Sequence, residues 1–119
     1  MIELDADPAL HDAAAAALAA VGVTNGHLAI DFVDSYRMRE LNRLHRGIDR
    51  PTDVLSFPVD GAGPTAGPRE LGDVVICREY TADVTEAVVH GVLHLCGYDH
   101  ETDDGEMLDV QDRVMDGLR

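Results

Sequence analysis

Three of the six histidines in this chain lie close together, at positions 90, 94 and 100. On a helix, His90 and His94 would project from one face about one turn apart, because they are separated by four positions. Gly97 follows where such a helix would end, since glycine adopts the left-handed conformation at little steric cost. The chain can then reverse and bring His100 in as a third nitrogen ligand. Three protein ligands leave a fourth position open, so the spacing predicts one hydrolytic zinc ion per chain.

Cap residues and apolar periodicity predict the elements that position these histidines. Asp83, followed three residues later by Glu86, has the spacing of a reciprocal capping box and predicts a helix that runs to about Cys96. The rest of the chain predicts strands at 2–5, 28–33, 53–57 and 71–77, a surface loop at 61–68, and helices at 9–21, 34–45 and 103–118. The order predicts an α+β fold, a small mixed four-stranded sheet flanked by helices, in which the His-x3-His helix carries the metal site. The helix between the second and third strands further predicts at least one parallel pair of strands, connected by a right-handed crossover.

The composition predicts a soluble acidic protein that forms one domain over residues 1–119. The formal net charge is −14, and the nine basic residues are all arginine. Five of these arginines lie between residues 37 and 50, so one cationic surface is expected on an otherwise acidic protein. No apolar run is long enough to span a bilayer and the start lacks a basic signal region, so we expect a cytoplasmic protein with no membrane partner. Cys77 and Cys96 fit the reduced thiols of that compartment.

Three sequence blocks, taken together, resemble the bacterial YbeY family of metal-dependent endoribonucleases. They are His90 to His100, the pair Leu41 to Arg46 and Pro51 to Pro58, and Leu71 to Ile76. A single H-x3-H-x5-H match could be accidental, whereas three blocks in the family's order are specific. They cover the chain from about residue 30 onward. One departure is the segment between Ile76 and His90, which is shorter here than relatives usually have it.

The resemblance implies a zinc-dependent endoribonuclease specific for single-stranded RNA. It further implies a role in ribosomal RNA processing, at the 3′ end of the small-subunit rRNA, and in ribosome quality control. The expected partners are then rRNA and the small ribosomal subunit, and no DNA. Carried over by position, the metal ligands are His90, His94 and His100, and the family's arginine falls on Arg46.

Physical reasoning adds expectations for the residues around this site. A guanidinium offers planar, bidentate hydrogen bonds to phosphate and stays charged, which makes Arg46 the candidate for stabilising the reacting phosphate. Arg43 and Arg50 are candidates for contacts with backbone phosphates of RNA. Tyr98 could stack on a base. Asp99 could orient a ligand histidine through a hydrogen bond.

Two other functions share the histidine spacing. Zinc proteases of the metzincin type carry H-E-x-x-H-x-x-G-x-x-H, in which the glutamate after the first histidine is the general base. Gly91 occupies that position here and has no side chain, which weighs against proteolysis. Alternatively, Cys96 or Asp99 could close a structural zinc site in a non-catalytic ribosome-binding factor. Cys96 follows His94 by two residues, which places it on a different face of the helix and argues against that closure.

Overall fold

A computed structural model describes residues 2–60 and 69–118 of the chain. Its four strands are β1 (Ile2–Asp5), β2 (Gly26–Phe32), β3 (Val54–Pro58) and β4 (Glu70–Ile76). They form one sheet in the order β1-β2-β4-β3, in which β1 and β2 are parallel, β2 and β4 are parallel, and β3 runs antiparallel to β4. The predicted mixed four-stranded sheet is therefore confirmed. The predicted loop at 61–68 lies outside the described residues.

Four α-helices cover the sheet: α1 (His11–Ala20), α2 (Ser35–Arg46), α3 (Val84–Leu95) and α4 (Glu106–Leu118). Capping residues explain where α2 begins and ends and where α3 begins. Asp34 Oδ1 accepts the Arg37 amide at the start of α2, and Gly47 ends that helix in the left-handed conformation, with φ of 74°. Asp83 Oδ1 likewise accepts the Glu86 amide at the start of α3. The helix predicted from residue 9 begins as a 3₁₀ turn over Pro8–Leu10, and the helix predicted from residue 103 begins at Glu106.

The prediction of at least one parallel pair is confirmed, but the second and third strands do not form one. In the structure β4 lies between β2 and β3, and β3 is antiparallel to its neighbour β4. The parallel pairs are instead β1 with β2, which α1 separates along the chain, and β2 with β4. The chain folds back after β3 and pairs β4 with it as an antiparallel neighbour, so α2 does not connect adjacent strands.

The sheet separates two apolar clusters, because alternate residues of a strand point to opposite faces. On β4, Val74 and Ile76 belong to the larger cluster with α1, α3 and α4, while Val75 belongs to a smaller cluster with Met38 of α2. The larger cluster includes Cys96 and the smaller one Cys77, and both are free, buried thiols. No helix in the described ranges is long and apolar enough to cross a membrane.

Packing on several sides leaves only a narrow part of α3 uncovered. The helix contacts β3, β4, α1 and α4, and most of its residues are buried. After its first turn, which ends at Glu86, His90 and His94 are the only residues of α3 that are not buried. Glu86, His90 and His94 follow one another at intervals of four residues. Their side chains therefore form a stripe along one face of the helix. We call this the histidine stripe.

Candidate metal centre

His100 lies beside the two histidines of the histidine stripe, as the spacing of the three histidines predicted. One nitrogen from each of His90, His94 and His100 lies within 4.8 Å of the other two. The ring centroids are 4.7 Å apart for His90 and His94, 5.1 Å for His90 and His100, and 5.3 Å for His94 and His100. The turn after α3 makes this possible, because Gly97 has a φ of 96° and lets the chain reverse. The three imidazoles therefore form a cluster that could bind one metal ion.

Hydrogen bonds at the far side of two rings fix which nitrogen faces the cluster. His90 Nδ1 donates to Gln111 Oε1 at 2.8 Å, and His94 Nδ1 donates to the Tyr98 carbonyl at 2.9 Å. Both Nε2 atoms are then unprotonated in the neutral rings, yet they lie 3.1 Å apart with their lone pairs directed into the same space. Two nitrogens bound to one tetrahedral zinc at about 2.1 Å would lie roughly 3.4 Å apart. The residues present therefore fit a metal ion, which when bound would remove the repulsion between the two lone pairs.

The electrostatic environment keeps His94 in the neutral form that binds metals. Burial lowers the pKa of His94, and the neighbouring His90 lowers it further, while the hydrogen bond with the Tyr98 carbonyl acts in the opposite direction. Burial raises the pKa of the Cys96 thiol to about 11. Cys96 is buried in the larger apolar cluster and its sulfur does not belong to the histidine group, so it is not a further ligand in this arrangement.

A fourth protein ligand does not close the cluster in the part of the chain that is described. The His90, His94 and His100 group contains no carboxylate. Asp99 Oδ1 instead accepts the backbone amide of Glu101 at 3.0 Å. Asp99 makes no hydrogen bond to a histidine ring among the described residues. Its expected role in orienting a ligand histidine stays a prediction. An open position beside three imidazoles is typical of catalytic rather than structural metal sites.

Close packing at Gly91 argues against the protease alternative. A Cβ atom at this position would lie 2.5 Å from Cγ1 of Val74 on β4, which is shorter than real Cβ contacts. The Gly91 carbonyl also accepts the Ser56 hydroxyl of β3 at 2.9 Å, so the helix backbone is held against the sheet here. Position 91 therefore faces the core, and a glutamate cannot be placed there as a general base.

The cluster opens into a cleft of about 960 Å³, which also receives Arg46 from the end of α2. Arg46 is the one arginine that lines this cleft among the described residues, and its guanidinium has no ion pair with any of them. Arg43 and Arg50 are exposed but do not line the cleft, so their predicted contacts with RNA stay predictions. Tyr98 lines the cleft and is half-buried against the larger apolar cluster, which leaves part of its ring accessible.

Gln111 was not expected from the sequence, although it holds His90, the first histidine of the cluster, in place. It is 7% exposed, one of two buried polar side chains in the described part of the chain. Its only signal in the sequence is a polar residue between the apolar positions 110 and 114 of α4. Outer partners of this kind fix ring orientation and raise ligand basicity.

We expect Gln111→Met to lower the affinity for zinc by about 10- to 100-fold, because it keeps the side-chain length and removes the acceptor of His90 Nδ1. Gln111→Glu keeps an acceptor and serves as the matched control. Zinc affinity is measured by competition with a chromophoric chelator. Equal zinc affinity in the two variants would show that the hydrogen bond to Gln111 has no part in metal binding.

The fold and the site together define a class, α+β domains with an open three-histidine cluster that could hold a metal ion. A protein-family model described as Endoribonuclease YbeY matches residues 5–119 of this chain. The chain therefore belongs to the YbeY family.

Individual relatives agree with the family model. An Endoribonuclease YbeY of Persephonella marina is 38% identical over 114 residues, covering 83% of this chain and 74% of the relative. An Endoribonuclease YbeY of Sulfurihydrogenibium sp. is 41% identical over 118 residues, covering 85% of this chain and 76% of the relative. A solution structure of a protein from Thermotoga maritima superposes with a TM-score of 0.58 at 27% identity, covering 99% of this chain and 89% of that one.

One relative shows that this chain is shortened within the matched region. The alignment with Endoribonuclease YbeY of Nitrobacter hamburgensis, at 38% identity, covers 95% of this chain and 70% of the relative. It spans 133 positions, more than the 119 residues of the chain itself, so that relative carries internal residues which this chain lacks. The segment between Ile76 and His90 was predicted to be short. In the structure it holds a 3₁₀ turn at Arg78–Tyr80 and the cap residue Asp83, and α3 still places His90 and His94 as described.

Proposed function

We propose that this protein is a zinc-dependent endoribonuclease that cleaves single-stranded RNA. We place its activity in ribosomal RNA processing, at the 3′ end of the small-subunit rRNA and in ribosome quality control, with rRNA and the small subunit as partners in the cytoplasm. One observation supports the chemistry above all others. The Nε2 atoms of two histidines face one another at 3.1 Å, each ring being held from behind, at an open cleft that also contains Arg46, which has no ion pair within the described ranges.

The chain's own residues supply two parts of the chemistry. His90, His94 and His100 would hold the ion, which when bound lowers the pKa of a water molecule toward about 7 and polarises a phosphoryl oxygen. Arg46 would bind the non-bridging oxygens of the reacting phosphate and stabilise the negative charge that develops on them. Its place at the end of α2 suits this role, because the Gly47 amide donates to the carbonyls of Arg43 and Asn42 and holds that helix terminus in one conformation.

The first test is cleavage of a labelled single-stranded RNA by the purified protein, before and after treatment with a chelator. We expect cleavage to stop on chelation and to return when zinc is added. Cleavage that continues in chelator, with zinc absent by elemental analysis, would refute the metal-dependent mechanism. A zinc-loaded chain that cleaves no RNA at any salt concentration would favour the non-catalytic, ribosome-binding alternative.

Arg46 carries a separate prediction. We expect Arg46→Ala to lower kcat by about 10²-fold, the loss typical when one preorganised donor to a developing charge is removed. Arg46→Lys keeps the positive charge but lacks the planar guanidinium that can form two parallel hydrogen bonds, so it should recover only part of the rate. Arg37→Ala is the control, because Arg37 lies on the same helix, pairs with Glu40 and does not line the cleft. If Arg46→Ala and Arg37→Ala had equal rates, Arg46 would have no role in the reaction.

A further inference from the structure

Residue 91 cannot be the proton acceptor of the proposed reaction, so another side chain of the cleft is a candidate for that role. A base that takes the proton of the attacking water accelerates cleavage of a phosphodiester by water. In zinc proteases with the same histidine spacing this base is the residue after the first histidine, which here is the buried Gly91. Apart from the three clustered histidines, the side chains of the cleft that can act as bases are the imidazole of His45, whose ring packs against Phe57, and five carboxylates: Asp53, Asp83, Glu86, Asp99 and Glu101.

Hydrogen bonds within the fold engage three of the five carboxylates. Asp53 accepts the Val54 amide at 2.8 Å, Asp83 accepts the Glu86 amide at 3.1 Å, and Asp99 accepts the Glu101 amide at 3.0 Å. Each of these bonds holds a carboxylate oxygen against the backbone, so the three carboxylates already have partners within the fold. Glu86 and Glu101 remain, and neither carboxylate has a hydrogen bond or an ion pair with any residue in the described ranges.

The position of Glu86 sets it apart from Glu101. Glu86 begins the histidine stripe on α3, four residues before His90, so its side chain lies one helical turn from His90 on the face that carries the ligands. Glu101 lies in the turn that follows His100, outside any helix or strand. A residue held by a packed helix is positioned more reproducibly than one in a turn.

The capping of α3 leaves the Glu86 carboxylate available to the cleft. The sequence predicts a reciprocal capping box, in which Glu86 would return a hydrogen bond to the Asp83 amide. Only half of this box forms, because Asp83 accepts the Glu86 amide while the Glu86 carboxylate makes no bond to Asp83 in the structure. The same carboxylate is absent from the His90, His94 and His100 ligand group, although it lines the same cleft. It therefore lies in the same cleft as the cluster, one helical turn before His90, without belonging to the ligand group.

We propose that Glu86 is the proton acceptor of the cleavage reaction, an inference that rests on the proposed function. The Glu86 carboxylate takes a proton from the attacking water as the water oxygen forms its bond to phosphorus. The bond from phosphorus to the leaving ribose oxygen breaks, and that oxygen takes a proton from solvent water. Glu86 then releases its proton to solvent, so the net change is the addition of one water across the phosphodiester.

The test compares Glu86→Gln with the wild type in three measurements. Glutamine keeps the size and hydrogen bonding of glutamate but cannot accept a proton at neutral pH, so we expect kcat to fall by about 10²- to 10⁴-fold. Zinc affinity, measured by chelator competition, should be unchanged because Glu86 is not a ligand. RNA binding by the chelator-treated protein should be as tight as in the wild type or tighter, because one negative charge leaves the cleft.

Two further variants make the assignment specific to Glu86. Asp12→Asn removes one negative charge from α1, outside the cleft, and should keep full activity. Glu101→Gln removes the other remaining carboxylate of the cleft and should lower kcat much less than Glu86→Gln. An unchanged kcat in Glu86→Gln, a loss of zinc in that variant, or an equal loss of kcat in Glu101→Gln would each overturn the inference. A zinc-loaded wild type that cleaves no RNA refutes the proposed function, and this inference with it.

Discussion

Replacing His94 by alanine is expected to abolish both zinc binding and RNA cleavage. His94 would supply one of three ligand nitrogens and is also held by the Tyr98 carbonyl, so its loss removes a ligand and one fixed ring from the cluster. The affinity for zinc should fall by more than the roughly 10- to 100-fold typical of an outer partner such as Gln111. A metal ion contributes several kcal/mol of transition-state stabilisation, and about 4 kcal/mol corresponds to about 10³-fold in rate.

The measurements are zinc content after dialysis and single-turnover cleavage of a labelled RNA. His11→Ala is the matched control, because the ring of His11 donates to the Ala6 carbonyl at 3.0 Å and does not line the cleft. It should bind zinc and cleave RNA as the wild type does. If His94→Ala cleaved RNA at the wild-type rate, the histidine cluster would not be the catalytic centre.

Gly72→Ala is expected to be the most destabilising single substitution among those considered. Gly72 lies on β4 opposite Pro58 with a φ of 131°, and a Cβ there would lie 2.2 Å from the backbone oxygen of Phe57 and 3.0 Å from Leu95 Cδ2. A backbone oxygen cannot move aside without separating β3 from β4. We expect a loss of about 3 to 5 kcal/mol in the free energy of unfolding, out of the roughly 5 to 15 kcal/mol typical of a small domain.

Urea unfolding followed by circular dichroism measures this loss. Gly22→Ala separates the cost of the positive φ from the cost of the steric clash. Gly22 also has a positive φ, of 74°, but no described atom lies within 4 Å of its Cβ position. That variant should lose only about 1 kcal/mol, the cost of the left-handed backbone for an alanine. Equal losses in the two variants would show that the close approach of β3 and β4 has no effect on stability.

Local signals in the sequence were enough to predict most of the elements and the histidine cluster. Asp34 and Gly47 delimit α2, and Asp83 begins α3, because caps act within a few residues of the backbone they satisfy. The convergence of His90, His94 and His100 likewise depends on one helix and the turn after it. These features are decided by short stretches of chain, so a single sequence reveals them.

Features that depend on packing between distant segments were not predictable in this way. The insertion of β4 between β2 and β3 depends on how two apolar faces are covered at once, and nothing in β3 itself indicates its partner. Gln111 meets His90 because α4 packs beside α3, and the register of that packing is not written in either helix alone. The sequence also could not show that the Glu86 carboxylate leaves the Asp83 amide unbonded, because the position of that carboxylate depends on the folded cleft.

The position of the last site residues along the chain has a consequence for biosynthesis. His100 and Gln111 both follow all four strands in sequence, and Gln111 is the residue that locks His90. A ribosome makes the amino-terminal part of a chain first, so the sheet and α3 emerge before the centre can be completed. A growing chain of this protein therefore forms its sheet before His100 and Gln111 are available to complete the histidine cluster.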